Sequence, residues 1–207
     1  MKTGSLLRCL GLALLTSSLH AAWSPPAAPE RARLERALKS WHSQYNPAES
    51  MVRRPFSSPG YHTKLAGGFV HPTRDSLNYA LGLLDLGGVE ERERALAILR
   101  RVIALQDSNP ASRTYGIWSW YLEEPLDRMS PPDWNWADFN GVTLLQVARD
   151  HRARLPEDLA ASVDQAILHA CAAIKKRNVG PGYTNIAVMG AYVTLIAGET
   201  LDRPEFR

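Results

Sequence analysis

Residues 71 to 106 read His71-Pro-Thr-Arg-Asp-Ser-Leu-Asn-Tyr-Ala-Leu-Gly-Leu-Leu-Asp-Leu-Gly-Gly-Val-Glu-Glu-Arg-Glu-Arg-Ala-Leu-Ala-Ile-Leu-Arg-Arg-Val-Ile-Ala-Leu-Gln106, and the pattern predicts two helices of opposite character. The first opens at His71-Pro72-Thr73, runs to Leu86 and is apolar at Leu77, Ala80, Leu81 and Leu84, the recurrence expected of a helix with a buried face. Gly87-Gly88 ends it, because glycine takes the left-handed conformation that closes a helix at little cost. The second, Val89 to Gln106, puts Leu96, Leu99 and Ile103 on one side and crowds Glu90, Glu91, Arg92, Glu93 and Arg94 at its start. A mostly apolar helix turned back on a charged one makes a hairpin with an inner and an outer arm.

The same alternation extends in both directions. A charged helix is expected over Arg31 to Tyr45, with Leu34, Leu38, Trp41 and Tyr45 at helical spacing. Prolines and glycines then forbid a long regular element over Asn46 to Gly68, and a loop of that length in a compact domain is often functional. Ser130-Pro131-Pro132-Asp133 predicts the start of a fourth helix, with Ser130 as cap, Pro131 in the first helical position and Asp133 reaching back. That helix continues through Leu144, Leu145 and Val147 to near Arg152. Glu157 to Lys176 forms a fifth, amphipathic helix, and Tyr183-Thr184-Asn185 opens a sixth that is apolar nearly all round and is expected to be buried from every side. Charged helices one, three and five therefore alternate with apolar helices two, four and six. The reading is an all-α fold of inner and outer helical hairpins, with a cleft where the inner helices begin.

Composition narrows the function classes. A chain of 207 residues that is 45% hydrophobic and 22% charged is globular in character, with enough apolar side chains for one substantial core. Lys2 and Arg8 ahead of the apolar run Cys9 to Leu19, with Ala21-Ala22 after it, predict a signal peptide over residues 1–22. A linker over 23–30 and a helical domain over 31–207 follow. The expected location is secreted or periplasmic, and no later segment is long and apolar enough to hold the chain in a membrane. The 24 basic residues less Lys2 and Arg8 leave 22 against 21 acidic ones, so nothing steers the chain to nucleic acid. Lys175-Lys176-Arg177 complements a helix dipole. Cys171 has no partner once the leader is gone and reads as a small buried hydrophobe. No cysteine pair, zincin motif, calcium loop, phosphate-cradling glycine loop or nucleophile elbow occurs, so no metal and no cofactor is expected.

The chemistry concentrates between Tyr115 and Gly141, where Trp118, Trp120, Trp134 and Trp136 stand among Glu123, Glu124, Asp133 and Asp138. Indoles stack on pyranose rings while carboxylates and amides hydrogen-bond sugar hydroxyls, so this mixture predicts a sugar-binding cleft. Core packing is the competing use of the tryptophans. His71, Arg74, Asp75 and Asn78 recur at helical spacing on one face. They are either a self-satisfying network or a set in which His71 moves a proton, Asp75 fixes its tautomer, Arg74 neutralises a carboxylate and Asn78 holds a hydroxyl. Asp138 lies one turn inside the fourth helix on the face of Trp134 and Asn135, and Tyr183 and Asn185 open the sixth.

His71-Pro72-Thr73-Arg74-Asp75, Pro132-Asp133-Trp134-Asn135-Trp136-Ala137-Asp138 and Gly182-Tyr183-Thr184-Asn185, at the starts of alternating inner helices, resemble the six-hairpin glycosidase and toroid-type polysaccharide lyase superfamily. The resemblance covers the span from Arg31 to Leu201 at the level of architecture. It implies a partial (α/α) toroid of three hairpins, half of a six-hairpin ring, with a carbohydrate ligand at its mouth. A hydrolase would draw its carboxyl pair from Asp75, Asp138, Glu123 and Glu124. A lyase would use His71 or Tyr183 as base and acid, with Asn135, Asn185 and Arg74 neutralising a uronate. The end, Asp202-Arg-Pro-Glu-Phe-Arg207, reads as the start of another helix. The chain is therefore expected to be the N-terminal part of a longer enzyme; completion by a second copy and an open array are the other arrangements. A non-catalytic exported module that binds glycan or protein is the rival function.

Overall fold

A computed structural model describes residues 23–207; the expected signal peptide lies outside the described residues. The helices are α1 (Ala28–Gln44), α2 (Thr73–Leu86), α3 (Val89–Ile103), α4 (Asn135–His151), α5 (Glu157–Arg177) and α6 (Thr184–Thr200). The fold is all-α apart from two small hairpins in the proline- and glycine-rich segment. The first pairs β1 (Tyr45–Asn46) with β2 (Met51–Val52), and the second pairs β3 (Arg54–Ser57) with β4 (Gly67–Val70), Arg54 lying opposite Val70. Helix α1 begins inside the expected linker. Pro29 falls in its first turn, where a missing N–H costs nothing, and Glu30 accepts the Ala27 N–H at 3.3 Å.

Helix α2 packs on α3 and α4, α4 packs on α5 and α6, α3 meets α5, and α1 lies on α2. Thus α2, α4 and α6 stand side by side, with α3 and α5 against them. Contacts at both ends make α2 and α4 parallel. Trp136 donates to the Thr73 hydroxyl where they begin, and Arg154 reaches the Leu84 carbonyl at 2.7 Å where they end. Gly87 closes α2 with φ 80° and donates its N–H to Leu83 at 3.1 Å, a conformation that side chains with a Cβ resist. The core joins Leu77, Leu83 and Leu84 of α2 to Ile98 and Leu99, Leu144 and Leu145, Val163 and Ile167, and Val193 of the succeeding helices. Cys171 is buried here, and burial pushes its thiol up to about 12; it packs and does not react.

Two expectations fail in this layer. Helix α4 starts at Asn135, not beside a Ser130 cap. Pro132 follows Pro131, and a residue before proline is driven out of the helical region, so no helix can begin there. Ser130 instead gives its N–H to the His62 carbonyl, while the Asp133 carboxylate accepts the Asn135 N–H at 3.0 Å and organises the first turn. Helix α6 is not buried all round. Its Ile186, Gly190, Val193 and Ala197 face inward, whereas Val188 and Leu195 are 63% and 47% exposed.

Candidate functional site

The two β hairpins clamp the start of α2. The Glu123 carboxylate takes both the His71 backbone N–H, at 3.0 Å, and the His71 Nδ1, at 2.5 Å. The Asn46 amide of β1 lies 3.0 Å from His71 Nε2. A carboxylate only accepts, so Nδ1 carries the proton and Nε2 accepts from Asn46. Arg54 of β3 donates to Asp75 at 2.9 Å, and the Val52 N–H reaches the Ser76 hydroxyl at 3.0 Å. The four residues predicted to share a face therefore separate. His71 precedes the helix and is held by Glu123, not by Asp75. Arg74 lies over the Phe139 ring at 3.9 Å, and Asn78 accepts from Thr143 at 2.8 Å. Both His71 nitrogens are occupied, so Glu123→Ala should cost stability, about 2 kcal/mol for stranding two buried donors. Urea unfolding checks this; a change under about 0.5 kcal/mol would place Glu123 among ordinary surface acids.

The start of α4 divides the rest of the site in two. Trp136 turns toward α2, donating to Thr73 at 3.0 Å and stacking on Trp120 with ring centres 4.9 Å apart. Phe139, one turn on, meets Trp136 edge-on at 5.5 Å and carries Arg74 on its face. Trp136 and Phe139 are half-buried and Arg74 is exposed, so together with Asp75 they form a ledge open to solvent.

Trp134, Asn135 and Asp138 turn the other way, as their spacing predicts. Lys176 lies over Trp134 at 5.5 Å, Arg177 donates to the Asn135 side-chain Oδ1, and the Asn135 side-chain Nδ2 donates to Tyr183 at 3.3 Å. Asp138 is 2% exposed and its Oδ1 has no hydrogen-bond partner. It lines a pocket of about 280 Å³ together with Arg177, Ile174, Ile186 and Gly190. Burial pushes the Asp138 carboxyl up from 3.8 to about 7, with Arg177 opposing the shift.

Several predicted site residues lie elsewhere. Trp118 is fully buried in the main core and donates to the Val102 carbonyl at 2.9 Å. Trp120 is 6% exposed, covered by Trp136, Tyr61 and His62, and donates to Asp133 at 3.1 Å. Glu124 is also buried, accepting the Lys64 N–H at 2.6 Å. The loop wall predicted from Trp118, Trp120, Glu123 and Glu124 is therefore packing and support, since indoles without a free face cannot stack on a ligand. Arg74 and Asp75, Trp134, Asn135, Trp136 and Asp138, and Tyr183 and Asn185 remain at the three helix starts. Asn46, Arg54, Phe139 and Arg177 were not foreseen. Phe139 was legible as the residue three on from Trp136, and Arg177 as the end of the basic triplet. Among the described residues no cluster of His, Cys, Asp and Glu is set to hold a metal ion, and no helix is long and apolar enough to cross a membrane.

A family model described as "Domain of unknown function (DUF8769)" matches residues 44–206. The chain belongs to this family. The DUF8769 segment opens at the last residue of α1 and takes in both hairpins and α2 to α6. All three helix starts and the Asp138 pocket, Arg207 apart, thus lie within the family's own span, whereas most of α1 lies outside it. Neither the curated proteins nor the solved structures offer a match to the chain.

Proposed function

We propose that the chain is an exported carbohydrate-active protein, of a glycoside hydrolase or polysaccharide lyase kind, built as a partial (α/α) toroid. An oligo- or polysaccharide lies across the starts of α2, α4 and α6. The observation that carries this reading is the ledge of Trp136, Phe139 and Arg74 beside Asp75, open to solvent on one side of the α4 start, with the Asp138 pocket on the other. Aromatic faces with carboxylates at their edge suit sugar rings. Both chemistries need a proton donor at the leaving oxygen, and a carboxyl raised to about 7 is half protonated at neutral pH. Asp138 is that acid, in the pocket that it lines together with Arg177.

The test is release of reducing ends or unsaturated uronates from a panel of neutral and acidic polysaccharides. Turnover that Asp138→Asn abolishes supports the enzyme; no product from any substrate overturns it. Trp136→Ala should weaken glycan binding about tenfold, the loss of one good stacking surface, as read by calorimetric titration, and unchanged affinity would remove the ledge from the site. A second reading, a non-catalytic binding module, draws on His71, Glu123 and Asp75 being committed to structural partners. It predicts glycan or protein binding that Asp138→Asn leaves intact, with no turnover.

A further inference from the structure

We propose that the pocket between the end of α5 and α6 is a binding site for a small organic carboxylate, held between the Arg177 guanidinium and the Asp138 carboxyl. Asp138 Oδ1 is buried and unpartnered on the pocket wall, and a buried polar atom without a partner is costly. Arg177 lines the same pocket, yet its hydrogen bond goes from Nη1 to Asn135, and no ion pair joins it to Asp138 among the described residues. The two groups therefore leave a gap with a planar fork on one side and a carboxyl on the other. A carboxylate fits both: one oxygen accepts from the guanidinium, which favours planar anions, and the other accepts from the protonated Asp138. Lys175 and Arg207 add positive charge to the lining and Glu205 is the one further acid there. Asp133 lies near Asp138 from the α4 side, and α6 offers no ionisable group to the pocket, only Ile186, Gly190 and similar neutral residues.

Gly190 is part of the construction. A Cβ there would come within 2.9 Å of Asp138 Oδ1 and 3.0 Å of Ile174, so any larger residue would narrow the gap the ligand needs. The volume of about 280 Å³ and the Ile174 and Ile186 walls suit a ligand with an organic body. This site shares Asp138 with the proposed glycan cleft but does not require it, because a free organic acid and a sugar acid present the same carboxylate.

The test titrates the folded protein at pH 6 with hexanoate, glucuronate, glucose and inorganic phosphate, followed by calorimetry. At least one of the two carboxylates should bind, with glucose at least about tenfold weaker. Hexanoate alone binding assigns the site to free acids and leaves the glycan reading to its own assay; glucuronate alone binding assigns it to sugar acids. Arg177→Gln should weaken binding about tenfold or more. Raising the pH from 6 to 8 should weaken wild-type binding about tenfold as the Asp138 proton is lost. Asp138→Asn, which keeps a donor at every pH, should bind with no such dependence. The proposal is overturned if neither carboxylate binds, if phosphate binds more tightly than both, or if Arg177→Gln, melting with the wild type, keeps full affinity.

Discussion

Trp118→Ala is expected to destabilise the protein by roughly 3–5 kcal/mol, the usual cost of removing a large aromatic from a closed core, and to leave ligand affinity of the surviving folded fraction unchanged. Trp118 has no exposed surface and sits in the cluster that joins α2, α3, α4 and α5. Truncation opens a cavity and also removes one of the donors to the Val102 carbonyl, which keeps the Leu105 N–H. Denaturant unfolding and a parallel binding titration separate the two roles. A stable variant with weakened glycan binding would return Trp118 to the ligand site.

Asp138→Asn is expected to stabilise the protein at pH 8 and to do little at pH 4. The carboxyl is raised from 3.8 to about 7 by burial. Below the lower value it is neutral in both folded and unfolded chains and contributes nothing. Between the two values the folded state holds a proton that the unfolded state has released, so stability falls as pH rises. Above about 7 the full penalty is present, at most about 4 kcal/mol for a carboxyl pushed from 3.8 to about 7. Asparagine carries no charge at any pH and escapes it. Paired unfolding curves at pH 4, 6 and 8 should therefore diverge upward in pH; parallel curves would mean that Asp138 titrates as an ordinary carboxylate. The cost has a use in the proposed function, because an acid that is hard to ionise is one that can deliver a proton near neutral pH.

Much of the fold was visible in the chain as periodicity. The apolar stripes of α2 to α5 and the paired glycines after Leu86 place these helices within a few residues of their observed bounds. The helix-start residues Arg74, Asp75, Trp134, Asn135 and Asp138 follow from the same spacing. What escaped depends on contacts far apart in sequence. Asn46 and Arg54 hold His71 and Asp75 across loops, and no local pattern announces such partners. Trp118 and Trp120 lie in a connection without regular periodicity, so their spacing gave no means of telling a core indole from a cleft indole. One falls in the main core and the other in a smaller cluster with Val70, Tyr121 and Met129. Arg177 looked like a helix-dipole complement because it ends α5, and its place in a pocket wall depends on α6, far along the chain. The exposure of Val188 and Leu195 was equally hidden, since an apolar helix shows in its sequence how much it can bury but not how many neighbours it has.

Backbone amide NMR during titration with a mixture of neutral and acidic oligosaccharides tests the cleft most directly. Shifts gathered at residues 73–76, 134–139 and 183–186 are the predicted result. Shifts absent from these starts, or gathered at the opposite end around His151, Arg154 and Thr200, would contradict it.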